Sequence, residues 1–111
     1  MPILCEPAAT AADLIAGIDG DVRKADTLSA AAKILDSDPN ETLVVIGPRA
    51  PTGEALAFSA ALRLARPAIG VILTRRDVDV TLLTQALQSG VREVVPAGDP
   101  AALSAACRRS Y

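Results

Sequence analysis

Thr42-Leu43-Val44-Val45-Ile46-Gly47-Pro48 is the stretch whose reading decides the fold. A polar segment precedes it, a Gly-Pro break ends it, and the residues between are aliphatic at successive positions rather than alternate ones. A strand of that kind is buried on both faces, as the central strands of parallel sheets are. Two further runs, Pro2-Ile3-Leu4-Cys5 and Gly70-Val71-Ile72-Leu73-Thr74, stop just as abruptly in polar or turn residues. Laid parallel, the three would gather Glu6, Gly47-Pro48 and Thr74-Arg75 at the carboxyl edge of one sheet, where open α/β sheets hold their sites.

Working outward, each apolar run is followed by a segment of helical period. Residues 8–17 carry Ala11, Leu14 and Ile15 at helical spacing. Residues 21–25 alternate weakly and are polar enough for an edge strand. Thr27 offers an N-cap for a helix with Leu28, Ala31, Ala32 and Leu35 along one stripe, and residues 36–41 read as a polar loop. Thr52 can cap a helix over residues 53–65, whose apolar side chains cover more than half its circumference and leave Ser59, Arg63 and Arg66 on a narrow polar strip. That breadth is either alanine without a role or a contact surface around Phe58 and Leu62. Residues 79–89 place Val80, Leu83, Ala86 and Leu87 on one helical face, ended by Gly90, and residues 91–96 form the last strand. Asp99 followed by Pro100 opens a final helix with Arg108 and Arg109 at its C-terminal end. Five strands alternating with five helices across short loops specify right-handed βαβ units and a parallel sheet covered on both faces.

Composition narrows the function. The chain has 111 residues, one domain's worth, and half of them are apolar. Phe58 and Tyr111 are its only aromatic side chains, which favours helices packed closely on a sheet over an aromatic-rich β-sandwich. Eleven basic against 13 acidic residues give a net charge of −2, so there is no electrostatic case for nucleic acid or an anionic membrane. No apolar segment is long enough to span a bilayer and no secretory leader is visible, which points to the cytoplasm. Histidine is absent, and Cys5 and Cys107 lack metal-ligand spacing; they read as buried thiols used as small hydrophobes, or as a disulfide if the fold brings them together. Neither a metal nor a cofactor is implied. With no histidine and no placed lysine, no nucleophile and base pair is visible, and Asp36, Asp38, Asp77 and Asp99 stand where caps and loops ordinarily use aspartate.

Gln85-Ala86-Leu87-Gln88-Ser89-Gly90-Val91-Arg92-Glu93-Val94-Val95 resembles the fourth helix and fifth strand of bacterial response-regulator receiver domains, and the resemblance runs through the whole chain. It implies a flavodoxin-like (βα)5 fold with strand order 2-1-3-4-5. The phosphoryl chemistry of receivers needs an acceptor Asp at the end of the third strand, an acidic pair holding Mg²⁺, a Thr or Ser after the fourth strand and a Lys after the fifth. Here those positions hold Gly47, the single acid Glu6 followed by Pro7, Thr74, and Ala97 beside Pro96. Without an acceptor or a metal cage there is nothing for phosphoryl transfer to act through. The resemblance is therefore to a degenerate receiver.

Arg66-Pro67-Ala68-Ile69-Gly70-Val71-Ile72-Leu73-Thr74-Arg75-Arg76-Asp77-Val78-Asp79, continuing to Gly90-Val91-Arg92-Glu93-Val94-Val95, is similar to the N-terminal domain of the TadZ/CpaE type. Those proteins are ParA/MinD-like ATPases of Flp (tad) pilus assembly. The resemblance implies a single degenerate receiver over residues 1–111, cut from a longer protein whose ATPase lies downstream; no phosphate-binding Gly-x-x-x-x-Gly-Lys-Ser/Thr occurs in these residues. It also implies a non-catalytic module for protein contact, homodimerisation or recruitment to the cell pole, with the pilus machinery and its own ATPase as partners. Its candidate surfaces are Phe58 and Leu62, and the face of Leu82, Val91 and Arg92 through which receivers commonly pair. The alternative is a small-ligand sensor in which Arg75 and Arg76 bind an anion or nucleotide near the Gly47 backbone; the same arginines could equally be a solvated pair facing Asp77 and Asp79.

Overall fold

A computed structural model of the chain describes residues 3–5, 23–25, 27–38, 40–41, 43–47, 52–76, 79–96 and 99–110. Its strands are β1 (Ile3–Cys5), β2 (Arg23–Ala25), β3 (Leu43–Ile46), β4 (Gly70–Arg75) and β5 (Glu93–Pro96). Its described helices are α1 (Leu28–Ser37), α2 (Thr52–Ala65), α3 (Val80–Gln88) and α4 (Pro100–Ser110). All strand pairs are parallel and the sheet order is β2-β1-β3-β4-β5, the flavodoxin-like order. The polar strand β2 is at an edge and β3 is central, as their compositions dictate. The helix expected over residues 8–17 lies outside the described residues.

Side chains alternate across the sheet, so the continuous apolar run of β3 feeds two cores. Val44 and Ile46 join Ile3, Cys5, Val71 and Leu73 on the face covered by Ala31 and Leu35 of α1, Ala55 of α2 and Ala86 of α3. Leu43 and Val45 join Leu4, Ile72 and Val95 on the opposite face, under Leu103, Ala106 and Cys107 of α4. Each fully buried Leu or Ile contributes about 1.5–3 kcal/mol through removal from water. Cys5 and Cys107 are buried in different cores and are not joined by a disulfide.

Local signals fix the helix ends. Thr27 accepts from the Ala30 N–H at 3.1 Å, Asp79 from Leu82 N–H at 2.7 Å and Asp99 from Ala102 N–H at 3.0 Å, each satisfying an orphan donor of a first turn. Helix α3 stops in a paired C-terminal turn: Gly90 at φ +85° donates to Leu87 O while Val91 donates to Ala86 O. Two boundaries differ from expectation. Helix α1 continues through Asp36 and Ser37, where Ser37 Oγ donates to Lys33 O, and α2 includes Thr52 rather than starting after it.

Two helix faces also differ. Ser59 is fully buried and Arg66, just past α2, is half-buried, whereas Arg63 is exposed, so the polar strip is divided between the inward face and solvent. Small Ala55 and Ser59 let that helix sit close to the sheet, with Ser59 Oγ donating to Ala55 O at 2.9 Å. Phe58 and Leu62 are half-buried and pack against the core. On α3 the buried side chain is Ala86, with Leu82 packed beside it, while Val80, Leu83 and Leu87 are exposed.

Candidate functional site

The carboxyl edge carries the positions that sequence singled out. Pairing aligns Cys5 with Ile46, Ile46 with Leu73 and Leu73 with Val94, so the strand ends lie side by side. Gly47 follows β3 directly, is buried, and donates its N–H to Cys5 O at 2.9 Å. With no side chain it offers nothing to acylate or phosphorylate. Thr74 is fully buried, and its hydroxyl donates to Ile46 O at 2.8 Å, tying β4 to β3. Arg75 is 8 % exposed and shares its sheet face with Leu73, whereas Arg76 is exposed, so the two do not form one solvated pair. Glu6, Ala97 and Asp77 lie outside the described residues. Among the described residues no cluster of three His, Cys, Asp or Glu side chains could hold a metal ion.

The proposed contact residues divide by burial. Phe58, Leu62 and Leu82 support the core, Val91 is buried, and Arg92 is exposed. Besides Leu64 of α2 at 88 % exposure, the large exposed apolar side chains among the described residues are Val80 at 78 %, Leu87 at 62 % and Leu83 at 38 %, all from the helical face that the sequence singled out. Spaced i, i+3 and i+7, they form one stripe on α3. The signal that could have found it is Ala86: with Leu82 four residues before it, it makes a second inward stripe, and a short helix over a sheet buries only one.

The opposite, amino edge holds an ion network that sequence reading left as loop. Glu41 is 5 % exposed and receives Arg23 Nη2 at 2.8 Å and the Leu43 N–H at 3.0 Å. Arg23 Nη2 also lies 2.9 Å from Asp38. Arg66 donates to Leu35 O at 2.6 Å, Asp38 O at 3.1 Å and Glu41 O at 3.3 Å, closing the end of α1 against the start of β3. The Glu41 hydrogen bond, with the charges of Asp38 and Glu41 in support, holds the Arg23 guanidinium above its ordinary pKa against the opposing effect of burial.

No protein-family model and no curated protein matches the sequence. Solved structures do. A pilus assembly-related protein of Burkholderia pseudomallei matches with a TM-score of 0.79 at 23 % identity, over 98 % of this chain and 86 % of that one. A pilus assembly protein, CpaE, of Burkholderia thailandensis matches at 0.72 and 25 % identity over 99 % of this chain and 97 % of that one. The fold is that of a receiver. A LuxR-family DNA-binding response regulator of Silicibacter pomeroyi shares it, at a TM-score of 0.72, 21 % identity, and coverage of 98 % and 88 %. At the carboxyl edge of this fold, β3 ends at Gly47 and the Thr74 hydroxyl is committed to a backbone carbonyl.

Proposed function

We propose that the chain is a non-catalytic pseudo-receiver that makes protein contacts for a Flp pilus assembly ATPase, as a homodimerising or positioning module recruited with its partners to the cell pole. The observation that carries this is the stripe of Val80, Leu83 and Leu87, which turns large aliphatic side chains to solvent on a helix that buries an alanine instead. Exposed aliphatic groups in line gain free energy when a partner covers them, by about 25 cal/mol per Å² of apolar area removed from water. The absence of a side chain at Gly47 supports a role without phosphoryl transfer. Similarity to a CpaE protein and to a pilus assembly-related protein supports the pilus context.

Light scattering over a range of concentrations tests it, with the parent beside Val80→Asp and Leu83→Asp. Both positions are exposed, so the variants keep the fold, whereas Phe58→Asp or Leu82→Asp would place a charge against the core. A concentration-dependent dimer in the parent that either variant abolishes supports contact through α3. A dimer of unchanged strength in both rejects the stripe, and a monomer at every concentration rejects self-association.

A further inference from the structure

A cavity of about 290 Å³ opens at the amino edge of the sheet between α2 and α3, away from Gly47 and Thr74. Its apolar walls include Ile69, Val71 and Leu87, and Arg63 of α2 and Arg92 before β5 both line it. No acidic side chain is among its described lining residues.

Two glycines seat the arginines. A Cβ on Gly90 would stand 2.8 Å from Arg63 Cδ and 3.0 Å from its Cβ, so the Arg63 stem lies across the bare Gly90 backbone. A Cβ on Gly70 would stand 2.9 Å from Arg92 Nη1, so that guanidinium rests against the start of β4. Gly90 also needs its positive φ to end α3, and the same residue thereby serves the turn and the arginine. Packing of this kind limits the rotamers of two otherwise flexible cations and holds both at the rim of one cavity.

We propose that this cavity binds a small organic anion, a carboxylate or phosphate group carried on a short apolar body, with Arg63 and Arg92 meeting the charge and Leu87, Ile69 and Val71 taking the apolar part. Guanidinium forks match the oxygens of both groups. The site is distinct from the carboxyl-edge cleft of Arg75 and Arg76, and it shares Leu87 with the exposed stripe of α3.

Amide chemical shifts of the ¹⁵N-labelled chain, followed during titration, test it with three probes: hexanoate, hexanol of the same tail, and inorganic phosphate. Hexanoate is expected to shift Gly70, Leu87, Gly90 and Arg92 saturably, and more strongly than either of the other two. The shifts are expected to vanish in Arg63→Gln/Arg92→Gln. Leu87→Gln, at an exposed position, is expected to weaken hexanoate and leave phosphate unchanged. Hexanol equalling hexanoate would overturn the role of charge, and phosphate equalling it would overturn the apolar part. No saturable shift, shifts centred on Arg75 and Arg76, or shifts that survive the double variant would overturn the site.

Discussion

The two ends of the sheet use polar side chains in opposite ways. At the amino end Arg23, Asp38, Glu41 and Arg66 form a connected set of ion pairs and hydrogen bonds joining α1, β2, β3 and the segment before β4. At the carboxyl end, where receivers hold an acidic cluster, β3 runs into Gly47 and the Thr74 hydroxyl is bonded to Ile46 O. Carboxylates crowded without a metal repel one another and raise the cost of ionisation. Gly47 places no carboxylate at the end of β3. Among the described residues, the amino end joins its elements through paired charges, whereas the carboxyl end ties β4 to β3 through a neutral hydroxyl.

The strongest way to break the comparison is Glu41→Ala. Its carboxylate is buried and holds both Arg23 and the Leu43 N–H, so removal strands a buried amide and leaves Arg23 with Asp38. The Arg23 side chain is 27 % exposed, so water recovers part of the loss. We expect a destabilisation of about 2–3 kcal/mol, read as a lower urea midpoint with the m-value unchanged. Glu41→Gln, which can still accept from Leu43, should lose less. An Ala variant as stable as the parent would make the amino-end network decorative.

That network shows where sequence reading stops. The strands were legible because Leu43-Val44-Val45-Ile46 and Val71-Ile72-Leu73 are short, β-branched and aliphatic at successive positions and bounded by turn residues, as doubly covered parallel strands are. Gly47 and Thr74 were legible as site positions because those runs end there. Glu41 was not, since a buried carboxylate and a loop carboxylate look alike until Arg23, eighteen residues away, comes beside it. Ser59 and Arg66 misled for a related reason: serine can bond its own helix and arginine can reach three carbonyls, so both tolerate an inward face. On α3, period alone could not choose between the stripe of Ala86 and that of Val80, Leu83 and Leu87. The choice came from packing on the sheet, where a small side chain fits beneath a short helix.

A smaller effect tests the carboxyl end. Thr74→Val keeps the shape and β-branching of a fully buried side chain and deletes its hydrogen bond to Ile46 O. The loss should be about 1 kcal/mol, the ordinary worth of one neutral hydrogen bond. Urea unfolding of the variant measures it. A loss equal to that of Glu41→Ala would erase the contrast between the two ends.

The smallest effect sharpens the comparison by pH. Asp38 accepts from the Asn40 N–H at 2.9 Å, and that bond first, then the Arg23 charge, hold its carboxyl below its ordinary value of 3.8 in spite of the opposing effect of burial. A carboxyl depressed by folding binds its proton more readily in the unfolded chain, so stability rises with pH across that window. Its contribution is complete above the ordinary value and disappears as pH falls through the depressed one. Asp38→Asn keeps an oxygen for the Asn40 amide and loses the charge opposite Arg23. Parent and variant should therefore differ slightly at neutral pH and converge on acidification below the carboxylate range, as urea midpoints across the acid limb would show. The gap between parent and Thr74→Val, which involves no titrating group, should stay constant over the same range. If the Asp38 gap also stays constant, the amino-end charges add nothing by being charged, and the two ends of the sheet differ only in their hydrogen bonds.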